Sequence, residues 1–390
     1  MNHSINRPQA RVALIHDWMT GMRGGEYVFE AIADLFPKSE LFTLLYVPAS
    51  VSPTITAMKR HVSPLQKMPG AEKRYRHYLP LMPRWIEKFD LSQFDLVVSS
   101  SHCVAKGVRK APDAVHVSYV HAPMRYMWDR YDDYFGPGRS SPPVRLAASL
   151  LRKRFQDWDR SVSQADRVDT LIGNSQFIAD QIEAAYGRKA QVIYPFADSS
   201  RFKRARQPGK SYLMVGAFAP YKKIELAIEA FNRMKLPLLI VGSGQEKHRL
   251  QKLAGPTVDI LGSLSNDAIA DLYAKCKAFI FPGKEDFGIT PVEAMAAGAP
   301  VIAFGEGGAA ESVSTDAGLL FRPQTVEALM EAVMKIETGT FKADEMKCRA
   351  QAAKFTREHF QQELSRAVHK TWTGRGKSAE LLPSEVLERI

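Results

Sequence analysis

Residues 281–311, FPGKEDFGITPVEAMAAGAPVIAFGEGGAAE, leave a chain few ways to fold. A short apolar run ends at Pro282-Gly283, and a polar loop carrying Glu285 follows. A helical stretch starts at Pro291 and stops near Gly298. A second apolar run comes next, and Gly305 to Gly308 close it with a tight turn. Strand, loop, helix, strand is the unit of a parallel sheet with right-handed crossovers, and such sheets present ligands at the C-terminal ends of their strands.

The same alternation runs through the chain. Apolar runs at 11–18, 41–47, 94–101, 115–119, 170–172 and 192–196 predict the strands of a first sheet. Helices are expected at 26–36, 147–164 and from Ser175 to Tyr186. Residues 51–90, basic and aromatic with Pro64, Pro69, Pro80 and Pro83 among them, read as irregular, and 136–145 (GPGRSSPPVR) as a mobile loop. Residues 198–209 read as a linker. Beyond them, strands are expected at 212–215, 238–241, 258–261, 278–281, 301–304 and 319–321. Helices are expected at 224–231 and 268–276, the latter capped by Asn266 and Asp267. Residues 354–372 read as one long helix with a frayed, charged tail. At 390 residues the chain exceeds one ordinary core. The fold class is therefore α/β, with two Rossmann-like domains facing across a cleft.

Composition limits the partners. The net charge of +11 calls for an anionic partner, whether nucleic acid, acidic lipid or phosphorylated small molecules. The cations occur in short clusters with aromatics, such as Lys73-Arg74-Tyr75-Arg76-His77-Tyr78 and Arg152-Lys153-Arg154-Phe155. Either these are solvated helix faces or they rest on an anionic membrane surface. No nucleic-acid module is visible, so a nucleic-acid partner is not expected. Cys103, Cys276 and Cys348 lack metal or redox spacing and suit a reduced, cytoplasmic setting. The first ten residues lack the apolar centre of a signal peptide, and no run approaches the roughly 20 apolar residues of a bilayer span.

Five places could carry chemistry. Glu285 and Glu293 flank a helix start, where carboxylates can take sugar hydroxyls while N–H groups hold a phosphate. Thr290-Pro291-Val292-Glu293 also matches a capping box, which gives Glu293 a purely structural reading; Glu285 has none comparable. Lys222 and Lys223 follow a strand of the same domain and could meet a diphosphate. Gly24 and Gly25 sit in a glycine loop before a helix, suited to an anion or merely to a turn. His121 lies just past a strand end, as a functional residue or as a histidine bonded to a loop carbonyl. Gly242-Ser243-Gly244 lacks the third glycine of a dinucleotide fingerprint, because Lys247 fills that place.

The spacing Glu285-x7-Glu293 within EDFGITPVEAMAAGAPVIA resembles the signature of the retaining family 4 glycosyltransferases of GT-B fold. PYKK, the VGSG turn and the terminal helix are similarly placed, and the resemblance covers nearly the whole chain. HDWMTGMRGGE, FDLVVSSSHCVAKGV and HAPMRYMWD are similar to the bacterial O-antigen and exopolysaccharide mannosyltransferase subgroup. The resemblance implies an acceptor-side domain at 1–197, a nucleotide-sugar domain at 198–355, and a 356–390 segment crossing back to the first. It implies that Glu285 bonds the donor sugar and Glu293 the ribose. Backbone N–H groups of Phe287, Gly288 and Ile289 would meet the sugar or phosphate. Lys223, with Lys222 beside it, would neutralise the leaving diphosphate. Gly24 and Gly25 would close over that group, and His121 would face the reacting sugar. The implied donor is GDP-mannose, and the implied acceptor a polyprenyl-diphosphate-linked saccharide at the inner membrane. Neither a metal nor a cofactor is implied. Two positions depart from the pattern: Ala217 stands where an arginine is usual, and Phe196 where relatives carry a second proline. A transferase using another nucleotide-sugar, a sugar-nucleotide epimerase or a non-catalytic nucleotide-sugar-binding protein on the same scaffold remains an alternative reading.

Overall fold

The computed structural model describes residues 9–136 and 140–390. Most of the N-terminal segment read for a signal peptide, and 137–139 of the expected loop, lie outside the described residues. The chain forms two compact units, one of residues up to Ile193 together with Phe360–Ile390, the other Tyr194–His359.

The first unit holds β1 (Val12–His16), β2 (Glu40–Thr43), β3 (Lys59–Val62), β4 (Leu96–Ser101), β5 (Val115–Val120), β6 (Thr170–Gly173) and β7 (Gln191–Val192). They pair in parallel in the order β3-β2-β1-β4-β5-β6-β7. The second unit holds β8 (Tyr212–Val215), β9 (Leu238–Val241), β10 (Val258–Gly262), β11 (Phe279–Phe281), β12 (Val301–Phe304) and β13 (Gly318–Phe321). Their order is β10-β9-β8-β11-β12-β13, again parallel. Both units are thus doubly wound α/β sheets, as the alternation predicts. Strand order reverses between β1 and β4 in one sheet and between β8 and β11 in the other. A sheet of this kind opens a crevice at that reversal, outside the C-terminal strand ends.

Strands β1, β4 and β5 are buried at every residue. Burying serines in β4 costs free energy unless they are bonded. Ser99 meets its requirement by donating to Ser118 Oγ at 2.9 Å, with His116 Nε2 also 2.9 Å away.

Several expectations are corrected. Residues 51–90 are not irregular: they contain β3 and several short helical turns. β3 escapes notice because Lys59-Arg60-His61-Val62 is an exposed edge strand, charged as edges usually are. The helix expected from Ala147 starts at Pro142 and takes up the end of the expected mobile loop. Ser265, not Asn266 or Asp267, caps the helix Asn266–Lys275, accepting from Ala268 N at 3.3 Å. The long terminal helix is one helix as expected, Arg357–Gly374, and a separate helix, Glu345–Ala352, that was not expected precedes it. Between them Phe355 O accepts Ala197 N at 3.2 Å, and Thr356 Oγ1 accepts His359 N at 3.2 Å, which restarts the helix. The tail is not frayed. Leu382 and Val386 are buried, and Ala10 N donates to Leu381 O at 2.7 Å. Among the described residues no helix is long and apolar enough to cross a membrane.

Candidate functional site

In the second unit, the C-terminal ends of β8 and β11 flank the reversal point, and the loops leaving them carry Lys222 and Glu285. The Lys222 ammonium is hydrogen-bonded to Glu285 Oε2, with both side chains mostly buried. Glu285 Oε1 is buried and has no hydrogen-bond partner among the described residues. A carboxylate oxygen withdrawn from water without a donor is costly and is poised to accept one. Beside the pair lies a small cavity of about 20 Å³, lined by Gly216, Ala217, Phe281 and Pro282 among others. Ala217 thus borders a void beside Lys222.

Lys223 does not share this position. It caps the helix Ile224–Met234 in the left-handed region, with φ 52° and ψ 39°. That backbone costs a side-chain-bearing residue about 1–2 kcal/mol, a penalty glycine escapes. Lys223→Gly is expected to raise unfolding stability by about 1 kcal/mol in a denaturant titration, whereas Lys223→Ala, still bearing a Cβ, should not.

Glycines let these loops stack backbone on backbone. A Cβ on Gly242 would stand 1.8 Å from Gly216 O, and one on Gly244 would stand 2.5 Å from Phe218 O. Phe218 N donates to Ser243 O at 2.8 Å, so the VGSG turn supports the lysine loop. On the other side, a Cβ on Gly308 would meet Phe287 Cα at 2.2 Å, and Gly308 N donates to Glu285 O at 2.9 Å. The 305–308 turn is thus a brace beneath Glu285.

The helix after Glu285 is Ile289–Ala296, with Gly288 at its N-cap and no side-chain cap. This overturns the capping-box reading: Thr290 is already helical and Glu293 lies past the first turn. Phe287 is core-packed against Tyr194 and Phe355. The free N–H groups of the helix's first turn follow from its start at Ile289. Glu293 instead accepts a bond from the Tyr273 hydroxyl at 3.1 Å, with Arg201 3.7 Å away. Burial pushes its carboxyl above the ordinary range, against the opposing pull of Arg201 and Tyr273. The folded state therefore holds this proton more tightly than the unfolded chain. Its contribution to stability is full below the ordinary carboxylate value and is lost as pH rises through the raised one. Glu293→Gln should melt higher than the parent at pH 7, with the gap closing toward pH 4.

In the first unit, the reversal point gathers residues that sequence reasoning missed. His16 ends β1, His102 follows β4 and His121 follows β5. His16 Nδ1 lies 3.1 Å from Ser100 Oγ, which lies 2.9 Å from His121 Nε2. Burial, with neighbouring imidazoles and Arg125, holds His121 well below the usual imidazole range. His16 and His102 are pushed down to about 3, chiefly by burial. All three are neutral near pH 7. Asp17 carries the adjoining loop: its carboxylate accepts the N–H groups of His102, Cys103, Val104 and Ala105 at 2.6–3.0 Å. The rule that picks out His121, a polar residue just past a strand end, applies equally to His16-Asp17. Gly24 and Gly25 open the helix Gly24–Ala33, two residues earlier than expected. A Cβ on Gly25 would sit 3.8 Å from His121 Cε1 and Nε2, so these two are brought together.

Comparison with known proteins fits this geometry. Residues 24–201 match the family described as Glycosyltransferase Family 4, and residues 196–355 the one described as Glycosyl transferases group 1. O-antigen chain mannosyltransferase C of Escherichia coli is 26% identical over 189 residues, 43% of this chain and 51% of that protein. The GDP-mannose-dependent alpha-mannosyltransferase of Mycolicibacterium smegmatis is 35% identical over 155 residues, 38% of this chain and 41% of that one. The chain spans about half the length of the first curated relatives it matches. Among solved structures, Anabaena Alr3699/HepE in complex with UDP aligns with a TM-score of 0.66 at 17% identity, covering 92% of this chain and 99% of that one. By domain content and fold, the chain is similar to a Glycosyltransferase Family 4 domain followed by a Glycosyl transferases group 1 domain, and its two doubly wound units have the GT-B fold.

Proposed function

We propose that the protein transfers a hexose from a nucleotide diphosphate to a hydroxyl acceptor with retention of anomeric configuration. Mannose from GDP-mannose is the first donor, and a polyprenyl-diphosphate-linked saccharide the first acceptor. The observation that carries this reading is the buried, unpartnered Glu285 Oε1 beside the Lys222 ammonium at the strand reversal. Glu285 accepts hydroxyls of the donor sugar, Glu293 those of the ribose, and Lys222 stands by the leaving diphosphate. Lys222 takes this role in preference to Lys223, whose backbone is committed to capping a helix. The N–H groups from Phe287 to Ile289 complete the cradle. The bond from the anomeric carbon to the phosphate oxygen breaks, and the acceptor oxygen bonds to the same face. The departing phosphate takes the acceptor's proton. His121, neutral and anchored by Ser100, faces the sugar as a hydrogen-bonding group, and Gly24 and Gly25 adjoin it. Lysine and helix-terminal charge stabilise the leaving group without a metal. The names of the mannosyltransferase relatives support the choice of donor. Synthesis of a surface polysaccharide on the cytoplasmic side of the inner membrane is the setting this implies.

A thermal-shift panel of nucleotide-sugars tests the reading. GDP-mannose should raise the melting temperature most, by mass action. Labelled mannose should then pass to the lipid-linked saccharide at the same rate with and without a chelator. Donor consumption that needs no acceptor would favour an epimerase, and binding without turnover a non-catalytic protein.

A further inference from the structure

Three adjacent strands of the first unit contribute to one buried polar relay. His16 on β1 and Ser100 on β4 are register partners, so their side chains leave the sheet on the same face. His121 follows the end of β5. His16 Nδ1 lies 3.1 Å from Ser100 Oγ, and Ser100 Oγ lies 2.9 Å from His121 Nε2. His16 and Ser100 are 0% and 1% exposed, so neither is placed to touch a ligand. The main chain of His121 is fixed separately: its N–H donates to Ser101 O at 2.8 Å, and its carbonyl accepts Asn174 Nδ2 at 3.1 Å. Among the described residues, only the Ser100 hydroxyl is hydrogen-bonded to its ring.

The relay has a direction. Ser100 has one proton to give, so it can donate to one imidazole while accepting from the other. Two observations set which. His16 Nε2 is buried with no hydrogen-bond partner among the described residues. Orphaned buried N–H groups are rare, so that nitrogen is the bare one. The main-chain hydrogen bond at Ser100 also favours the protonated His16 ring, and a main-chain group does this only as an accepting carbonyl. Both place the His16 proton on Nδ1. That N–H donates to Ser100, and the Ser100 proton goes to His121 Nε2. His121 is neutral, so its own proton is left on Nδ1. His121 keeps 9% of its surface exposed, at the strand ends where the crevice of this sheet opens.

We propose that His16 is a positioning residue: through Ser100 it holds His121 as the Nδ1–H tautomer, so that His121 meets the donor sugar as a hydrogen-bond donor and not as a base. The sugar contact rests on the transferase reading, whereas the tautomer can be read without turnover.

Long-range proton–nitrogen correlation spectra of the full chain, carrying isotope-labelled histidine, test this at pH 7. The two rings are assigned by the signals lost in His16→Asn and in His121→Asn. Both should carry their proton on Nδ1. In Ser100→Ala and in His16→Leu, the His121 ring should become a mixture of tautomers. In each, kcat for hexose transfer should fall about tenfold, the effect of one hydrogen bond, while KM for the donor holds. The two changes together should be no worse than either alone. His16→Asn, whose amide supplies an N–H near the place of Nδ1, should recover most of the loss and keep the His121 tautomer. A proton on His121 Nε2 in the parent overturns the proposal. So does a His121 tautomer indifferent to Ser100→Ala and His16→Leu, or a His16→Asn variant as impaired as His16→Leu. The parent spectra decide even where a variant fails to fold. Parent spectra as expected, with no hexose transfer from any donor, would sink the transferase reading and leave the tautomer standing. Transfer with His121 protonated on Nε2 would do the reverse.

Discussion

Glu285→Gln is expected to lower hexose transfer about 10²–10³-fold, the range found when one preorganised transition-state contact is removed. The substitution keeps size and shape, and the loop is held by main-chain contacts with Gly307 and Gly308 rather than by the carboxylate. Melting temperature should therefore hold or rise, since a buried oxygen without a donor is no longer carried as a charge. The same change frees Lys222 from its ion pair, so nucleotide diphosphate alone should bind at least as well as to the parent. Loss of turnover with retained nucleotide binding is the signature of a group that acts on the sugar. Parental turnover would remove Glu285 from the site.

The second large effect lies in the first unit. Asp159→Ala should destabilise the first unit by about 3–5 kcal/mol, read from urea unfolding, because it strands a buried ammonium. Lys106 Nζ and Asp159 Oδ1 are 2.5 Å apart, and both side chains are fully buried. Asp159 also accepts Met124 N, Trp128 Nε1 and the Tyr186 hydroxyl at 2.9–3.1 Å. Replacing the pair together, Lys106→Met with Asp159→Asn, which keeps an acceptor for Met124 N, Trp128 Nε1 and the Tyr186 hydroxyl, should recover much of the loss. A strongly non-additive cycle is the expected outcome. Lys106 belongs to the turn whose N–H groups Asp17 collects, so Asp159→Ala should also loosen the loop that carries His102.

The alternation of strand and helix was legible because parallel strands are buried on both faces and must be apolar throughout. Val12–His16, Val115–Val120 and Val301–Phe304 are buried at every position. β3 was not legible, since an edge strand of exposed lysine and arginine carries no such signal. The second unit's candidate residues could be read from Glu285 and its loop, but two details turned on backbone that composition does not report. Thr290-Pro291-Val292-Glu293 has the residues of a capping box, yet Gly288 adopts a left-handed conformation and starts the helix early. Lys222 and Lys223 are alike on paper and differ by a positive φ. The cluster of His16, Asp17, Ser100 and His102 needed the sheet order, because it assembles from strands 84 to 88 residues apart in sequence.

The glycine stacking has a consequence for how such a molecule diversifies. Where turns rest on one another through main-chain atoms, their course does not depend on which side chains they bear. Ala217 then borders a hole the size of about one water molecule instead of a collapsed loop. Substitutions at that rim become independent edits, each trading one contact to the substrate without renegotiating the frame. With Gly242, Gly244, Gly307 and Gly308 held fixed, side chains at the rim can change one at a time.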